Sequence, residues 1–473
     1  MGDAAMDTTA PGRDEWLTPS APQRAPRRAL AGWTLVEWAQ QPFYALILTF
    51  LFAPYFTTAV ASDPVHGQAL WGYAAAIAGI CIAIVSPVLG AVADSRGRRK
   101  PWVALAAAIL AVCMTSLWWA TPGAGAWTIF WILVAFIIAQ TASELISVFA
   151  NSIMPSLVPR SELGRLSGIG WAMGFTGGLV ALVIMAGFLV PNPATGNTLL
   201  GLAPLFPLDL ESRQGDRLVG PFSAIWLIIF IIPFFLFVPD PKIRRTGIGA
   251  NPLAELWQTV KSLPSNRDML LFLVARAVYT DGLTAIFVFG GIYGTSVFDW
   301  QPFERGMFGI ILTVAGVLGA VAGGFLDDRL GSKRVLLGSL VILLVAALGV
   351  LSVSSGHVLF WLPVEAKVAG NEPFASTGER VFLCFGMLIA VVAAPLGASS
   401  RALLARLAPP EQMTQYFGLF AFSGKATAFA APLLVALATN ATSSQRLGMA
   451  TILLFIVAGF LLLLPVRATH RQP

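Results

Sequence analysis

"GAVADSRGRRK", Gly90 to Lys100, is the stretch on which the reading of this chain turns. It sets five charges in seven residues, Asp94, Arg96, Arg98, Arg99 and Lys100, between two long apolar runs. A related stretch, "GFLDDRLGSKR", recurs at Gly324 to Arg334. In each, an aspartate follows a glycine by four residues and a second glycine comes three later: Gly90, Asp94, Gly97, then Gly324, Asp328, Gly331. A basic run by itself suggests a polyanion such as nucleic acid. The surrounding chain argues for a membrane loop instead.

Of 473 residues, 56% are hydrophobic and only 11% charged, with mean hydropathy +0.76. A soluble domain carries roughly 25% charged residues. Apolar stretches of about 20 residues, each long enough to cross hydrocarbon, recur from end to end. The formal charge is +6, but the cations are dispersed among short loops, so no nucleic-acid partner is expected. Cys81, Cys113 and Cys384 lie in apolar runs, and His66, His357 and His470 are scattered, which suggests neither disulfides nor a metal cluster. There is no Ser/His or Cys/His dyad and no nucleotide-binding loop, so neither an enzyme nor a cofactor is expected.

Twelve spans are read: 30–60, 69–93, 102–121, 126–153, 166–190, 221–239, 269–297, 306–327, 335–355, 381–405, 414–438 and 447–466. An even number puts both termini on one side. That side holds 21 of the 30 lysines and arginines against 6 in the opposite loops, and the positive-inside rule makes it cytoplasmic. Residues 1–29 read as a disordered cytoplasmic tail with no signal-peptide layout. Residues 30–239 then form one six-helix bundle, 240–268 a cytoplasmic linker, 269–466 a second bundle and 467–473 a short tail. "PRSELGRLSG" (159–168) and "PPEQMTQYFG" (409–418) align between the halves, as the opening stretch and its repeat do. The expected fold is all-α, with twelve transmembrane helices in two pseudo-symmetric six-helix bundles.

Here the chain resembles the major facilitator superfamily, whose signature follows the second helix of each half. Gly90, Asp94, Gly97, Arg98 and Arg99 match it, and Gly324, Asp328, Gly331 and Lys333 match it again. The resemblance implies that Asp94 meets span 11 and Asp328 meets span 5, with contacts that form when the cytoplasmic side closes and break when it opens. "EWAQQPFYALILTFLFAPYF" (37–56), "FANSIMPSLVPRSELGRLSGIGWAMGFTGG" (149–178) and "SRALLARLAPPEQMTQYFGLFAFSGKATAFAAP" (400–432) resemble the vacuole-effluxer-like branch. Its fungal members are associated with export of amino acids from the vacuole. That branch carries an acidic-Trp-Ala-Asn run in span 1 where this chain has Glu37-Trp38-Ala39-Gln40, so no ligand role is carried over to Gln40.

A charge inside a span costs about 2.5–3.5 kcal/mol on insertion scales, so each requires a reason. Lys425 falls about 15 Å into span 11, near the midplane where transport sites lie. It reads either as a substrate ligand or as half of an ion pair with Asp281 or Glu144. Asp281 reads as a proton carrier or as the fixed partner of a cation. Arg276 is five residues from Asp281, about 140° round the helix, and does not share its face. Gln140, Glu144, Ser147 and Asn151 recur at four, three and four along one face of span 4, while Glu37 and Gln41 begin a shorter stripe in span 1. For both glutamates, ligand binding and a gate pair with Arg401 or Arg165 remain open. Trp33, Trp38, Trp118, Trp119, Trp127 and Trp300 near span ends read as interface anchors.

The expected function is alternating-access secondary transport of a small polar solute, an amino acid or alternatively a sugar. The expected location is a bacterial inner membrane, with the lipid bilayer and the solute as partners, a coupling proton or cation, and a monomeric state. A non-transporting receptor or scaffold is the alternative from another class, and the paired signatures speak against it.

Overall fold

The computed structural model describes residues 24–192, 195–240, 251–367 and 372–467; most of the expected N-terminal tail lies outside them. Twelve helical segments are long and apolar enough to cross a membrane: Arg27–Val60, Pro64–Arg96, Lys100–Trp119, Ala126–Ser156, Arg160–Leu189, Gln214–Phe237, Arg267–Phe298, Glu304–Leu330, Ser332–Leu351, Thr377–Leu407, Pro410–Thr442 and Gln445–Leu463. These are spans 1 to 12, and their number agrees with the reading from hydropathy.

Boundaries differ where protein partners satisfy polar residues that hydropathy assigns to water. Span 6 begins at Gln214, not 221, and takes in buried Asp216 and Arg217. Arg213 Nε donates to Asp216 at 2.6 Å, and Arg217 Nε donates to the Trp118 carbonyl at 2.7 Å. The connection 240–268 is not all loop. It holds a helix, Pro252–Ser262, whose start is capped by the Asn251 side chain accepting from Leu253 N–H. A two-stranded hairpin, His357–Val358 with Leu362–Pro363, lies between spans 9 and 10. The tryptophans divide. Trp119 and Trp127 are exposed as anchors should be, but Trp33 and Trp300 are buried. Trp33 donates its indole N–H to the Ala150 carbonyl at 2.8 Å, Trp300 donates to Glu379 at 2.9 Å, and Trp38 stacks on Trp226.

Packing within the halves is repeated. Span 1 lies on spans 5 and 6, span 4 on spans 2 and 3, and span 3 on span 6; likewise span 7 lies on 11 and 12, span 10 on 8 and 9, and span 9 on 12. Across the divide, span 2 meets span 11 and span 5 meets span 8, with spans 4 and 10 adding contacts to 11 and 5. These crossings are closest at the end that carries the described termini, the basic end. A Cβ on Gly90 (span 2) would stand 2.6 Å from the Thr414 carbonyl oxygen of span 11. One on Gly168 (span 5) would stand 2.5 Å from that of Ala320 in span 8. Further along the same pair, what a Cβ on Gly316 would meet from span 5 is the ring of Phe175, at 3.6 Å. The halves touch backbone to backbone at the basic end and separate away from it.

Several spans are irregular, among them the end of span 5 and the start of span 12, and two are so near the divide. Span 1 passes through π-helical turns at Phe43–Phe50 and Phe56–Val60, beside Pro42 and Pro54, which lack an N–H for the helical ladder. Span 11 is interrupted: one helix ends at Lys425, residues 426–429 form tight turns, and a second helix runs Ala430–Thr442.

Candidate functional site

At the basic end the two signature stretches each close one crossing. Asp94, buried at the end of span 2, accepts N–H bonds from Thr414 (3.2 Å) and Gln415 (2.8 Å) at the start of span 11. Arg99 donates to Asp94 at 3.3 Å, to the Thr414 hydroxyl at 2.9 Å and to the Ser152 carbonyl at 3.2 Å. Gly97, with φ +71°, ends span 2 in the left-handed conformation that a glycine adopts without strain, turning the chain so that Arg99 returns to Asp94. Arg98 is exposed and takes no part in this contact. In the second half, Asp328 accepts from the Arg165 N–H of span 5 at 3.1 Å, with the Arg165 side chain 3.9 Å away. Gly324 lets span 5 approach, and Gly331, φ +84°, ends span 8. Lys333 does not join this contact. Its ammonium donates to the Leu464 carbonyl at the end of span 12, 2.7 Å away. The guanidinium here is Arg406, paired with the neighbouring Asp327 at 2.7 Å and with the Ser332 hydroxyl.

Just inside these contacts lies a third link between the halves. Arg401 of span 10 is buried and pairs with Glu37 of span 1. It also donates to Asn151 Oδ1 of span 4 (2.8 Å) and to the hydroxyl (2.9 Å) and carbonyl (2.8 Å) of Ser167 in span 5, over the Trp33 ring. Glu37 and Asn151 are therefore occupied by a cross-half gate in this conformation.

The charges deeper in the spans separate into held and free. Arg276 does not pair with a carboxylate. It stacks on Phe420 and donates to the Phe420 carbonyl (2.5 Å) and the Ser423 hydroxyl (2.8 Å), in space left by Gly424. Asp281 meets neither Lys425 nor Arg276; it accepts from the Ala431 N–H, 3.1 Å away, at the start of the second helix of span 11. The ion pair of Lys425 with Asp281 or Glu144, one of its two readings, is absent. Among the described residues the side chains of Lys425 and Glu144 have neither a hydrogen bond nor an ion pair. Gln140 keeps a buried side-chain oxygen without a partner, and Gln41 is half-buried.

Helix geometry says where the two free charges face. Residues seven apart on an α-helix differ by about 20° in direction and about 10 Å in height. Glu144 is seven residues inward from Asn151, which reaches across to Arg401. Lys425 is seven residues inward from Gly418, where a Cβ would stand 2.5 Å from the Ser86 carbonyl of span 2. Both therefore project toward the other half, two turns inside those contacts. Glu144 lies within electrostatic reach of Tyr44 on its own half and of Arg276 on the other.

Residues 60–472 match the family described as vacuole effluxer Atg22 like. The chain belongs to that family. An uncharacterized MFS-type transporter of Bacillus subtilis, YxiO, is 23% identical over 441 residues, which cover 91% of this chain and 93% of the relative. Autophagy-related protein 22 of Cryptococcus neoformans var. neoformans is 25% identical over 307 residues, 62% of this chain and 50% of that one. The match thus spans about half the length of this fungal relative. Among solved structures, the major facilitator superfamily transporter FucP in the outward conformation aligns with TM-score 0.67 and 14% identity, covering 92% of this chain and 97% of FucP. A bacterial homologue of the iron transporter ferroportin in an outward-facing state aligns with TM-score 0.64 and 16% identity over the same shares. The fold is the twelve-helix major facilitator fold.

For this Atg22-like transporter, the residues that sequence reasoning passed over belong to the gate and the second signature. Asp327 was hidden behind its neighbour, since aligning the two signatures selects Asp328. Ser167 gave no signal and Trp33 read as an interface anchor, because a hydroxyl and a ring near a span end have many ordinary uses. Arg401 was visible as a charge in a span and stood with Arg165 as an open gate partner for Glu37 and Glu144, but spacing did not choose among these pairs.

Proposed function

We propose that this transporter moves a small zwitterionic solute of the amino-acid class by alternating access. One observation carries the reading: Glu144 and Lys425, opposite in charge and each without a partner, face each other's half two turns inside the closed end. A buried or half-buried charge persists where a counter-ion arrives during function. An ammonium on the solute suits Glu144, and a carboxylate suits Lys425, with Arg276 beside it adding positive field. Gln140, about one turn beyond Glu144, and Gln41, about one turn inside Glu37, supply neutral hydrogen-bonding groups. Residues 30–239 and 269–466 act as the two rocking bodies. The Asp94, Asp328 and Arg401 contacts hold the basic end shut in the state described.

The Lys and Arg bias supports a cytoplasmic basic end and a bacterial inner-membrane location. A reporter fused at Pro473 is then active only on the cytoplasmic side; periplasmic activity would reverse the orientation. For the solute, melting curves of purified protein with the twenty amino acids and with a panel of sugars decide. Ligands that bind the folded state raise its apparent stability. One or more amino acids should raise the melting temperature in the wild type and not in Lys425→Ala or Glu144→Gln. Stabilisation by sugars alone, retained in both variants, would exclude this site and this solute class.

A further inference from the structure

Asp281 is a carboxylate in the middle of a span that the gate and the proposed solute contacts leave unused. It is 3% exposed. One oxygen accepts the Ala431 N–H; the other is buried and has no partner among the described residues. The charged and titratable groups around it are engaged elsewhere or distant. On span 7, Arg276 is committed to Phe420 and Ser423, and the Tyr279 hydroxyl is bonded to Ser400 of span 10. On span 10, Arg401 is held by Glu37, Arg406 by Asp327 and Glu379 by Lys367, and Cys384 is exposed. Lys425 on span 11 forms no ion pair with it. The helices Ala430–Thr442 and Ile452–Leu463 that flank it contain no titratable side chain.

A buried carboxylate with one neutral N–H and no cation is costly, by more than the roughly 1–3 kcal/mol of an ordinary unsatisfied polar group. Its free oxygen calls for a ligand. A metal cation requires several ligands, and among the described residues no group of three or more His, Cys, Asp or Glu side chains could hold one. A proton requires only the one oxygen that is free.

We infer that Asp281 is a proton-binding site that couples proton uptake to the break in span 11. A proton from water adds to the free oxygen and turns the carboxylate into a neutral carboxyl; on release it returns to water. Ala431 is the second residue of its helix, so the ionised form is also held by the positive end of that helix, and the neutral form is not. Proton binding loosens the clamp between span 7 and the second helix of span 11, and release tightens it. The interruption at residues 426–429 lies between that clamp and Lys425. The link to solute movement rests on the proposed role of Lys425; the proton site itself does not.

The test uses the full chain reconstituted in lipid, without solute. Infrared difference spectra between about pH 5 and about pH 9 register the carbonyl stretch of a neutral carboxyl. Asp281→Asn keeps an acceptor for Ala431 and mimics the neutral form, so it should remain monodisperse. The expected result is a carboxyl band that disappears on alkalinisation in the wild type and is missing from Asp281→Asn. Identical difference spectra in both proteins would overturn the site. So would sodium-dependent thermal stabilisation of the wild type that Asp281→Asn lacks, with no titrating band, since the ligand would then be a metal cation. In a second arm, proteoliposomes receive an equimolar mixture of the twenty amino acids. Asp281→Asn should retain exchange but lose accumulation driven by a pH gradient. If the wild type moves no amino acid at all, the proposed solute is wrong, and the infrared result still decides the proton site.

Discussion

Arg401 and Lys425 are both cations inside spans, and their partners make opposite predictions for the same kind of substitution. Arg401 bonds to Glu37, Asn151 and Ser167 in a buried setting. Arg401→Ala leaves those groups unpaired and should cost the protein about 3 kcal/mol, the scale for breaking a buried pair. Lys425 has no partner to strand, so Lys425→Ala should cost the solute-free protein less than about 0.5 kcal/mol, any larger change being a gain from removing an unpaired charge. Melting curves of the two variants check both figures; comparable losses would mean that Lys425 is structural. At this scale the sequence was informative about faces and poor about partners. The four-three-four spacing set Gln140, Glu144, Ser147 and Asn151 on one stripe, yet the neighbours Glu144 and Asn151 have different fates, one free and one in the gate. Spacing along one helix contains no information about which other helix comes near. For the same reason spacing left Asp281 open between a proton carrier and the partner of a cation, and the structure sets it against a backbone N–H.

Among the elements, long uniform apolar segments were legible and interruptions were not. The break in span 11 falls in "GKATAFAAP", whose hydropathy is continuous and whose one nearby proline, Pro432, lies beyond the interruption. The loop between spans 9 and 10 was equally silent, although it carries a built contact. Lys367 pairs with Glu304 at the start of span 8 and with Glu379, 3.2 Å away, at the start of span 10. Glu379 also accepts from the Trp300 indole and the Ser376 hydroxyl. Burial opposes the charge on Lys367, but the two carboxylates outweigh it and hold the ammonium above its ordinary pKa of 10.5. A group whose pKa is raised on folding lends stability that is complete below its unfolded value and is lost as pH rises through the folded one. The tie of this loop to spans 8 and 10 should therefore be intact at neutral pH and fail only above about 10.5. Lys367→Met, which keeps the stem and removes the charge, should melt lower than the wild type at pH 7, and the gap should shrink in strongly alkaline buffer. A gap that is constant with pH would mean that packing of the stem, not its charge, holds the loop.

For the whole molecule, the repeated signature made the architecture readable, while the conformation was not readable at all. On the proposed alternating access, the chain encodes the contacts of two states, and its sequence does not say which set is formed. The structure shows one set: Asp94 on the first N–H groups of span 11 and Asp328 on those of span 5, related by the pseudo-symmetry of the halves. Charge-assisted bonds of this kind contribute about 1.5–3 kcal/mol each, and the two latches share no residue, so their losses should add to a first approximation. Asp→Asn keeps the shape and removes the charge. If each change costs about 1.4 kcal/mol, it shifts the balance between closed and open basic ends about tenfold, and the double variant about a hundredfold. Ser147, between Glu144 and Asn151 on the stripe of span 4, is placed to report this, because it lies just inside the gate. In a background with Cys81, Cys113 and Cys384 replaced, Ser147→Cys should react slowly with an impermeant maleimide applied to the cytoplasmic face of inverted vesicles. Adding Asp94→Asn or Asp328→Asn should raise the rate, and both together should raise it more than either alone. Lys333→Ala, which removes a tie to span 12 and not to the other half, should leave the rate unchanged. Equal rates in all four proteins would mean that these aspartates do not hold the basic end closed.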